Sequence, residues 1–314
     1  MTDILLPDPL GISRAAALLQ QGALVALPTE TVYGLGADAR NGTAVAGIYT
    51  AKGRPSFNPL IIHVADVDQA RQYGRWSDTA EVLASAFWPG PMTLVLPLAE
   101  GHGLSSLVTA GLDSIAIRIP AHSTARAILR AFGGPVAAPS ANPSGKISAT
   151  TAQHVLSGLQ GRIAAVVDDG PCTVGLESTI IGLNQPRPTL LRAGGLPSEA
   201  IEAALGGPLD VADGAEIIAP GQLASHYAPH ASVRLNAQDA KEDEVYLGFG
   251  AAKGTGADDL TLSASGDLVE AAAQLFDQLH ALDRLRKPIA VAPIPETGLG
   301  RAINDRLRRA AAPR

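Results

Sequence analysis

The stretch ALVALPTETVYGLGAD, residues 23–38, decides the fold because it joins an apolar run directly to a polar, glycine-containing segment. The run 23–27 enters Pro28 and predicts a buried strand. We predict a loop after it, in which four side chains offer hydroxyl or carboxylate groups: Thr29, Glu30, Thr31 and Tyr33. Gly34 and Gly36 allow the backbone to approach a ligand closely. A glycine-rich turn with capping threonines would give the same pattern.

Helical and strand patterns alternate on both sides of this stretch. An Ala- and Leu-rich helix is predicted at 13–21, stopping at Gly22, and a second at 44–52, stopping near Gly53 and Pro55. Further strands are predicted at 60–65, 92–98, 114–120, 134–140, 163–169, 178–183 and 189–195. Further helices are predicted at 79–87, 124–132, 151–159 and 198–206. The alternation predicts an α/β sheet covered by helices.

The pattern breaks between 206 and 231, where no periodicity is sustained. We interpret this segment as a linker, and predict domains at 1–208 and 232–314 with the linker at 209–231. The linker contains His226, Tyr227 and His230, although passive spacers are usually Gly, Ser, Pro or charged residues. Beyond it, strands at 232–236, 244–250 and 288–294 and helices at 268–285 and 302–311 predict a small βαβ-type domain.

Composition excludes several classes of protein. The chain has 314 residues, 46% hydrophobic and 17% charged, which is long enough for two domains and atypical of disorder. Its net charge of -6 argues against a protein whose main work is holding nucleic-acid phosphates. Cys172 is the single cysteine, so an internal disulfide is impossible. The beginning, MTDILLPDPLGIS, is unlike a secretion signal and no apolar stretch is membrane-spanning in length, so we expect a cytoplasmic protein.

The familiar catalytic signatures are missing. There is no Walker A loop, since SGKI at 144–147 lacks a hydroxyl residue after the lysine, and GFGAAKG at 248–254 has the wrong spacing for a dinucleotide loop. No GxSxG elbow or HExxH helix occurs. Cys172, within GPCTVG, lacks the surroundings of a nucleophile, and we interpret it as a buried or turn residue.

Cationic and amide side chains follow the second predicted helix. Lys52, Arg54 and Asn58 lie between that helix and the next strand, where two cations and an amide could hold a polyphosphate. Cations at a helix C-terminus could equally be partners of the helix dipole. His63 lies inside the following strand and, taken alone, is more typical of a core histidine.

Arg118 stands within an apolar strand, between Ile117 and Ile119. Because side chains alternate along a strand, Arg118 lies on the face opposite these isoleucines, and that face borders either solvent or a cleft. In a cleft, its guanidinium would suit a substrate carboxylate. Hydroxyl, amide and cationic residues flank later strands: Ser140, Asn142, Ser144, Ser148, Ser178, Thr179 and Arg192. Many neutral donors and several cations, with few candidate carboxylate bases, favour binding and activation of an anionic ligand over hydrolysis.

Taken together, these motifs resemble the threonylcarbamoyl-AMP synthase family in its longer, two-domain form. The motifs in family order are PTETVYGLG, KGRP with NPL and His63, FWPGPMT, IRIP, PSANPSG, and ESTI with LRAG. The resemblance covers about residues 10 to 205, and PGQLASHYAPH with PETGLGRAINDRLRRA resembles the remainder. It implies an α/β fold: a twisted mixed-sheet YrdC-like domain, a linker over the active site, and a small Rossmann-like domain.

The resemblance also implies the chemistry. L-threonine and bicarbonate or CO2 would form a carbamate that attacks the α-phosphate of ATP, carried with Mg2+, and releases pyrophosphate. A transferase complex would then pass the threonylcarbamoyl group to tRNA. The implied catalytic residues are Lys52, Arg54 and Arg118. The implied threonine contacts are Thr31, His63, Arg118 and Ser178. The implied ATP contacts are Lys52, Arg54, Asn58, Ser114, Ala138, Ser140, Asn142, Ser148, Arg192 and Tyr227.

Several alternatives stay open at this point. The same fold could grip RNA, although the acidity of the chain opposes this. A related carbamoyl transferase is a second rival, but the acylphosphatase and zinc-finger regions of such proteins are not found here. His226 and His230 could share a metal, yet Pro229 makes a continuous helix between them improbable, and we predict no protein metal site.

Two further features of the sequence bear on these alternatives. Gln222, Leu223 and Ala224 depart from the basic and aromatic residues usual in the family linker. We interpret the basic cluster 306–309 as a solvated helix end that could otherwise touch RNA or a partner.

Overall fold

The computed structural model describes residues 1–212, 226–252 and 254–313. Gln222, Leu223 and Ala224 of the predicted linker lie outside the described residues. The domain boundaries at 208 and 231 stay a prediction. The described residues form two sheets. No helix among them is long and apolar enough to cross a membrane.

The larger sheet has eleven strands, in the spatial order β1-β8-β2-β3-β7-β4-β6-β5-β9-β10-β11. Its strands are β1 Asp3–Leu5, β2 Val25–Leu27, β3 Gly34–Asp38, β4 Ile61–His63, β5 Met92–Pro97, β6 Ser114–Arg118, β7 Val136–Ala137, β8 Ala165–Val167, β9 Thr179–Gly182, β10 Thr189–Arg192 and β11 Asp210–Val211. The helices of this unit are α1 Pro9–Gln20, α2 Gly42–Lys52, α3 Val67–Ala70, α4 Asp78–Phe87, α5 Ser106–Thr109, α6 Ser123–Phe132, α7 Ala152–Leu159 and α8 Ser198–Leu205. The sheet contains both parallel and antiparallel pairs, which confirms the predicted mixed sheet.

Local sequence explains where the helices begin and end. The first helix, α1, begins four residues earlier than predicted because the Asp8 side chain accepts a hydrogen bond from the Gly11 amide and Pro9 occupies the first turn. Asn41 caps α2, and Gly53, in the left-handed conformation with φ 60°, ends it. That glycine stop confirms the prediction for the second helix.

One element of the deciding stretch was predicted wrongly. Residues 34–38, predicted as a loop, form β3, which pairs antiparallel with β2 and with β7. A GLGAD sequence lacks the alternation that indicates a strand, and glycine is poor in strands. Here Gly36 is required by packing, because a Cβ at this position would lie 3.0 Å from the Val25 carbonyl oxygen and from a Val136 methyl group.

The smaller sheet is all parallel, in the order β12-β15-β13-β14. Its elements are β12 Val233–Arg234, β13 Val245–Gly248, β14 Leu260–Thr261, β15 Ile289–Val291, α9 Leu268–Asp283 and α10 Leu299–Ala311. This confirms a small Rossmann-like α/β unit. The two units are in contact, since the rings of His154 in α7 and His280 in α9 stack with centroids 3.9 Å apart.

The interpretation of the basic cluster in α10 was wrong for Arg306. Its side chain is 0% exposed, and it is the largest fully buried side chain among the described residues. Arg308 remains exposed and pairs with Glu296 at 2.7 Å. Spacing along the helix accounts for the difference, because Arg306 shares the buried face with Ile303 and Ala310 whereas Arg308 does not.

The close packing of backbone atoms around Gly194 can be tested by substitution. A Cβ added there would lie 2.3 Å from the Glu177 carbonyl oxygen and 2.5 Å from the Thr179 backbone nitrogen, both of which are backbone atoms. We expect Gly194→Ala to lower the free energy of unfolding by about 1–3 kcal/mol, measured by urea denaturation. Gly207→Ala is the matched control, since a Cβ there meets no atom within 4 Å. Equal stability of the two variants would contradict the close packing at Gly194.

Candidate functional site

A polar cavity lies where the larger sheet brings several strand ends together. Parallel pairing of β4 with β6 sets His63 directly beside Arg118, although the two are far apart in sequence. Residues after β2, after β7 and around β9 and β10 complete the wall. The lining residues are Thr29, Thr31, Val32, Gly34, Arg54, Ile61, His63, Arg118, Ala138, Pro139, Ser140, Glu177, Ser178, Arg192, His226 and Tyr227.

Arg118 is fixed at the base of this cavity. Its Nη2 donates to Glu30 Oε1 at 2.7 Å and its Nη1 to Thr31 Oγ1 at 2.7 Å. Its Nε donates to the Gly90 carbonyl at 3.2 Å. A guanidinium has five N–H donors, so two remain for a ligand after these bonds. A cation held in this way is suited to bind a carboxylate without first having to be oriented.

The hydroxyl of Thr31 has a defined direction. Thr29 Oγ1 donates to the Val32 carbonyl at 2.7 Å, so its contact with Thr31 Oγ1 at 2.8 Å must be as acceptor. Thr31 therefore donates to Thr29 and accepts from Arg118. Its remaining lone pair can accept from a donor in the cavity, such as an ammonium, amine or hydroxyl group.

Burial controls the charge of the groups around Arg118. Burial raises the pKa of Glu30, but the adjacent Arg118 charge and backbone hydrogen bonds outweigh it, so the net shift is downward and the carboxylate is ionised. Burial and then the charge of Arg118 lower the pKa of His63 to about 3. His63 is therefore neutral at physiological pH, and its Nδ1 has no hydrogen-bond partner among the described residues.

A second group of donors lies on the side formed by β9 and β10. Arg192 donates from Nη2 to the Ser178 carbonyl at 2.8 Å, and Ser178 Oγ contacts Thr93 Oγ1 at 2.7 Å. Arg54 donates from Nη2 to the Pro59 carbonyl at 2.9 Å. Burial lowers the pKa of Arg54 to about 10, so it keeps its charge at neutral pH. These two cations can stabilise negative charge on a phosphate.

The structure brings many of the predicted site residues to one cavity. The predicted residues that line it are Thr31, Arg54, His63, Arg118, Ala138, Ser140, Ser178, Arg192 and Tyr227. Lys52, Asn58, Ser114, Asn142 and Ser148 do not line it. Ser114 begins β6, at the opposite end of that strand from Arg118. The individual ligand contacts stay predictions.

Lys52 has a supporting position. Its ammonium group donates to the Ser140 carbonyl at 2.5 Å and to the Asn142 carbonyl, and only 3% of the residue is exposed. Burial, with the nearby Arg54 charge, lowers its pKa well below the usual value. Lys52 thus holds the loop that presents Ser140 to the cavity.

Two polar side chains that line the cavity in the described structure were missed by the sequence reasoning. Glu177 precedes β9 and accepts a hydrogen bond from Ser148 Oγ at 2.5 Å. His226 was noted only as a linker histidine, yet it is 7% exposed and borders the cavity. The available sequence signal was that Glu177 belongs to the ESTI motif and that His226 stands next to Tyr227. Nothing in the local sequence showed that these two segments border the same cavity.

Tyr227 covers the cavity and connects it to the smaller unit. It is 1% exposed, with φ 60°, and its ring lies 5.5 Å from that of Phe276 in α9. The cavity volume is about 50 Å³. Ligand pockets for nucleotide-sized molecules are about 300–1,000 Å³. A large ligand therefore requires residues that line the cavity to move from this position.

Protein metal ligands and a nucleophile are not apparent around the cavity. No group of three or more His, Cys, Asp or Glu side chains could hold a metal among residues 1–212, 226–252 and 254–313. His230 instead pairs with Asp283, with 2.7 Å between Nδ1 and Oδ2. Burial raises the pKa of the Cys172 thiol to about 12, which confirms it as a buried residue rather than a thiolate.

Known proteins match the chain over nearly its whole length. The family of Sua5, YciO and YrdC, described as "Telomere recombination", matches residues 17–194, and "Threonylcarbamoyl-AMP synthase, C-terminal domain" matches residues 196–312. A threonylcarbamoyl-AMP synthase of Bacillus subtilis is 42% identical, covering 100% of this chain and 96% of its own length. One from Pyrococcus abyssi is 41% identical, covering 96% of this chain and 94% of its own.

A solved structure agrees with these matches. The crystal structure of Pyrococcus abyssi Sua5 complexed with L-threonine superposes with a TM-score of 0.91 at 37% identity. The match covers 99% of this chain and 97% of that one, so it includes both units. From the two consecutive family matches, the full-length relatives and the shared architecture, the chain belongs to the threonylcarbamoyl-AMP synthase family.

Proposed function

We propose that the protein makes threonylcarbamoyl-AMP and pyrophosphate from L-threonine, bicarbonate or CO2, and ATP. The observation that carries the proposal is the buried Arg118, which is fixed by Glu30 and Thr31 and has two N–H donors to spare. These donors suit the threonine carboxylate. Family membership supports the same reaction.

Uncharged groups beside Arg118 can bind the amine and hydroxyl groups of the substrate threonine. Thr31 Oγ1 can accept from the threonine amine or hydroxyl, and the neutral His63 can exchange a hydrogen bond with the same molecule. A neutral imidazole also avoids repelling an amine that must lose a proton to react. Ser178, on the opposite wall, can contact the threonine hydroxyl or the new carbamate.

The chemical steps balance without a covalent enzyme intermediate. The uncharged amine of threonine forms an N–C bond to CO2 and releases a proton, which leaves a carbamate anion. A carbamate oxygen then forms a bond to the α-phosphorus of ATP while the bond to pyrophosphate breaks. Arg54 and Arg192 lie on the wall beside this reaction and stabilise the charge on the phosphates.

We further propose that Mg2+ enters with ATP. Glu177, which lines the cavity, is bonded to Arg306, and Glu30, behind Arg118, is bonded to Arg118, so the phosphates and water are the better magnesium ligands. Bound there, Mg2+ would neutralise the leaving pyrophosphate. Delivery of the product to a transferase complex and then to tRNA, in the cytoplasm, is part of the same proposal.

Arg118→Ala tests the threonine site. We expect the kcat/KM for threonine to fall about 100-fold or more, because two charge-assisted hydrogen bonds to the carboxylate are lost. The measurement is pyrophosphate release with ATP and bicarbonate, with and without threonine. Arg130→Ala is the control, since Arg130 is exposed at the end of α6 and should leave the rate unchanged.

The same assay distinguishes the competing functions. Release that requires both threonine and bicarbonate supports the synthase. Release without threonine, or none at all, would count against it and favour carbamoyl transfer or RNA binding.

The neutral state of His63 leads to a pH prediction. Its folded pKa of about 3 lies below that of an unfolded histidine, near 6.5, so the stability linked to this group is complete above about pH 6.5 and is lost as pH falls toward 3. Between about pH 6 and pH 8 His63 does not titrate. Profiles of kcat/KM for wild type and His63→Gln should therefore run parallel in this range. A ratio that changes with an apparent pKa near 6.5 would show that His63 becomes charged there.

A further inference from the structure

The smaller unit reaches into the wall of the cavity through Arg306. Its Nε donates to Glu177 Oε2 at 3.0 Å, and its Nη1 donates to the Ala193 carbonyl at 2.6 Å. Both acceptors belong to the larger unit, on the segments that carry Ser178 and Arg192. Arg306 is 0% exposed and Glu177 is 6% exposed, so this is a buried ion pair between the two units.

Glu177 connects Arg306 to Ser148. The carboxylate accepts from Ser148 Oγ at 2.5 Å through Oε1, while Oε2 is engaged by Arg306. The Ser148 proton is thereby committed to Glu177, so only lone pairs of this hydroxyl remain to face a neighbouring group. The position of the Ser148 hydroxyl thus depends on where Arg306 holds the carboxylate.

A second contact from the smaller unit reaches the same residue. His280 Nε2 lies 3.0 Å from the Ser148 carbonyl oxygen, and it must be the donor because a carbonyl can only accept. His280 is in turn stacked against His154. Ser148 is therefore held at its side chain through Glu177 and at its backbone by α9.

Arg306 also supports the cover of the cavity. Its guanidinium carbon lies 5.4 Å from the centroid of the Tyr227 ring, within range of a cation–π contact. Tyr227 borders the cavity together with Glu177. The one cation thus contacts both the carboxylate that orients Ser148 and the ring that covers the ligand.

We propose that Arg306 is a positioning residue for the nucleotide side of the site: it neutralises Glu177, sets the Ser148 hydroxyl and supports Tyr227. Without Arg306, an unpaired carboxylate would border a cavity that has to accept a polyphosphate. Three of the residues proposed for threonine, Arg118, Thr31 and His63, make no contact with Arg306 among the described residues. The fourth, Ser178, follows Glu177 in the chain but is not itself bonded to Arg306 in the described part. The assignment of the two sides rests on the function proposed above.

The test compares four variants of the whole chain with wild type. Arg306→Met removes the charge, Arg306→Lys keeps the charge but loses the guanidinium fork, and Arg306→Met with Glu177→Gln removes both members of the ion pair. Arg308→Met is the matched control on the same helix, because Arg308 is exposed and its one ion pair within the described part of the chain is with Glu296. KM for ATP, KM for threonine and kcat are measured, together with direct binding of ATP and thermal unfolding.

We expect Arg306→Met to raise KM and the dissociation constant for ATP at least 10-fold while KM for threonine changes less than 2-fold. The double variant should recover most of the ATP affinity, because the bare carboxylate is gone, and Arg306→Lys should lie between wild type and Arg306→Met. Arg308→Met should match wild type. If Arg306→Met does not fold, the lysine and double variants still supply the comparison.

Two results would overturn the proposal. One is unchanged ATP affinity in the folded variants; the other is a loss of ATP and threonine affinity in equal proportion, which indicates a purely structural role. Failure of the proposed function looks different, since wild type itself would then release no pyrophosphate with threonine and bicarbonate. The direct ATP-binding comparison would still decide whether Arg306 positions the nucleotide side.

Discussion

The need to compensate buried positive charge shapes this protein more than any other constraint. Arg118, Arg192, Arg306 and Lys52 are each less than 9% exposed. Burying an unpaired cation is costly, so each one must find acceptors within the fold. Glu30 serves Arg118, Glu177 and Asp305 serve Arg306, and backbone carbonyls serve Lys52 and Arg192. The loops around the cavity follow from where those acceptors must lie.

This arrangement explains why the site suits an anionic reaction. Three arginines line the cavity against a single glutamate, and the two histidines that line it, His63 and His226, have pKa values of about 3 and are neutral. The positive field is held by the protein before any ligand binds, and such preorganised charge stabilises developing negative charge efficiently. With the Cys172 thiol protonated and both carboxylates bonded to arginines, positioning and charge account for the chemistry without a nucleophile.

The sequence was most informative where motifs and periodicity coincided. Most of the strand and helix order could be predicted, because apolar runs mark buried strands and polar loops follow their ends. The mixed sheet and most cavity residues followed instead from the resemblance to the family. It failed for β3, where glycine is required by the approach of Val25 and Val136 and the strand pattern is absent. The predicted contact of Lys52 with ATP stays a prediction, but a local pattern cannot show that its ammonium group donates to two carbonyls of another loop.

Arg306 is the clearest case in which the local sequence does not predict whether a side chain is buried. Three arginines near the end of a helix are typical of a solvated surface, and the sequence of α10 alone gives no reason to separate them. Its burial depends on Glu177, which is 129 positions away in the sequence. Because Glu177 also accepts from Ser148, the smaller unit is part of the cavity wall rather than an appendage. A movement that shifts Tyr227 to admit a ligand therefore has to preserve the Arg306–Glu177 pair or expose a buried charge, and this favours a local shift of Tyr227 over separation of the two units.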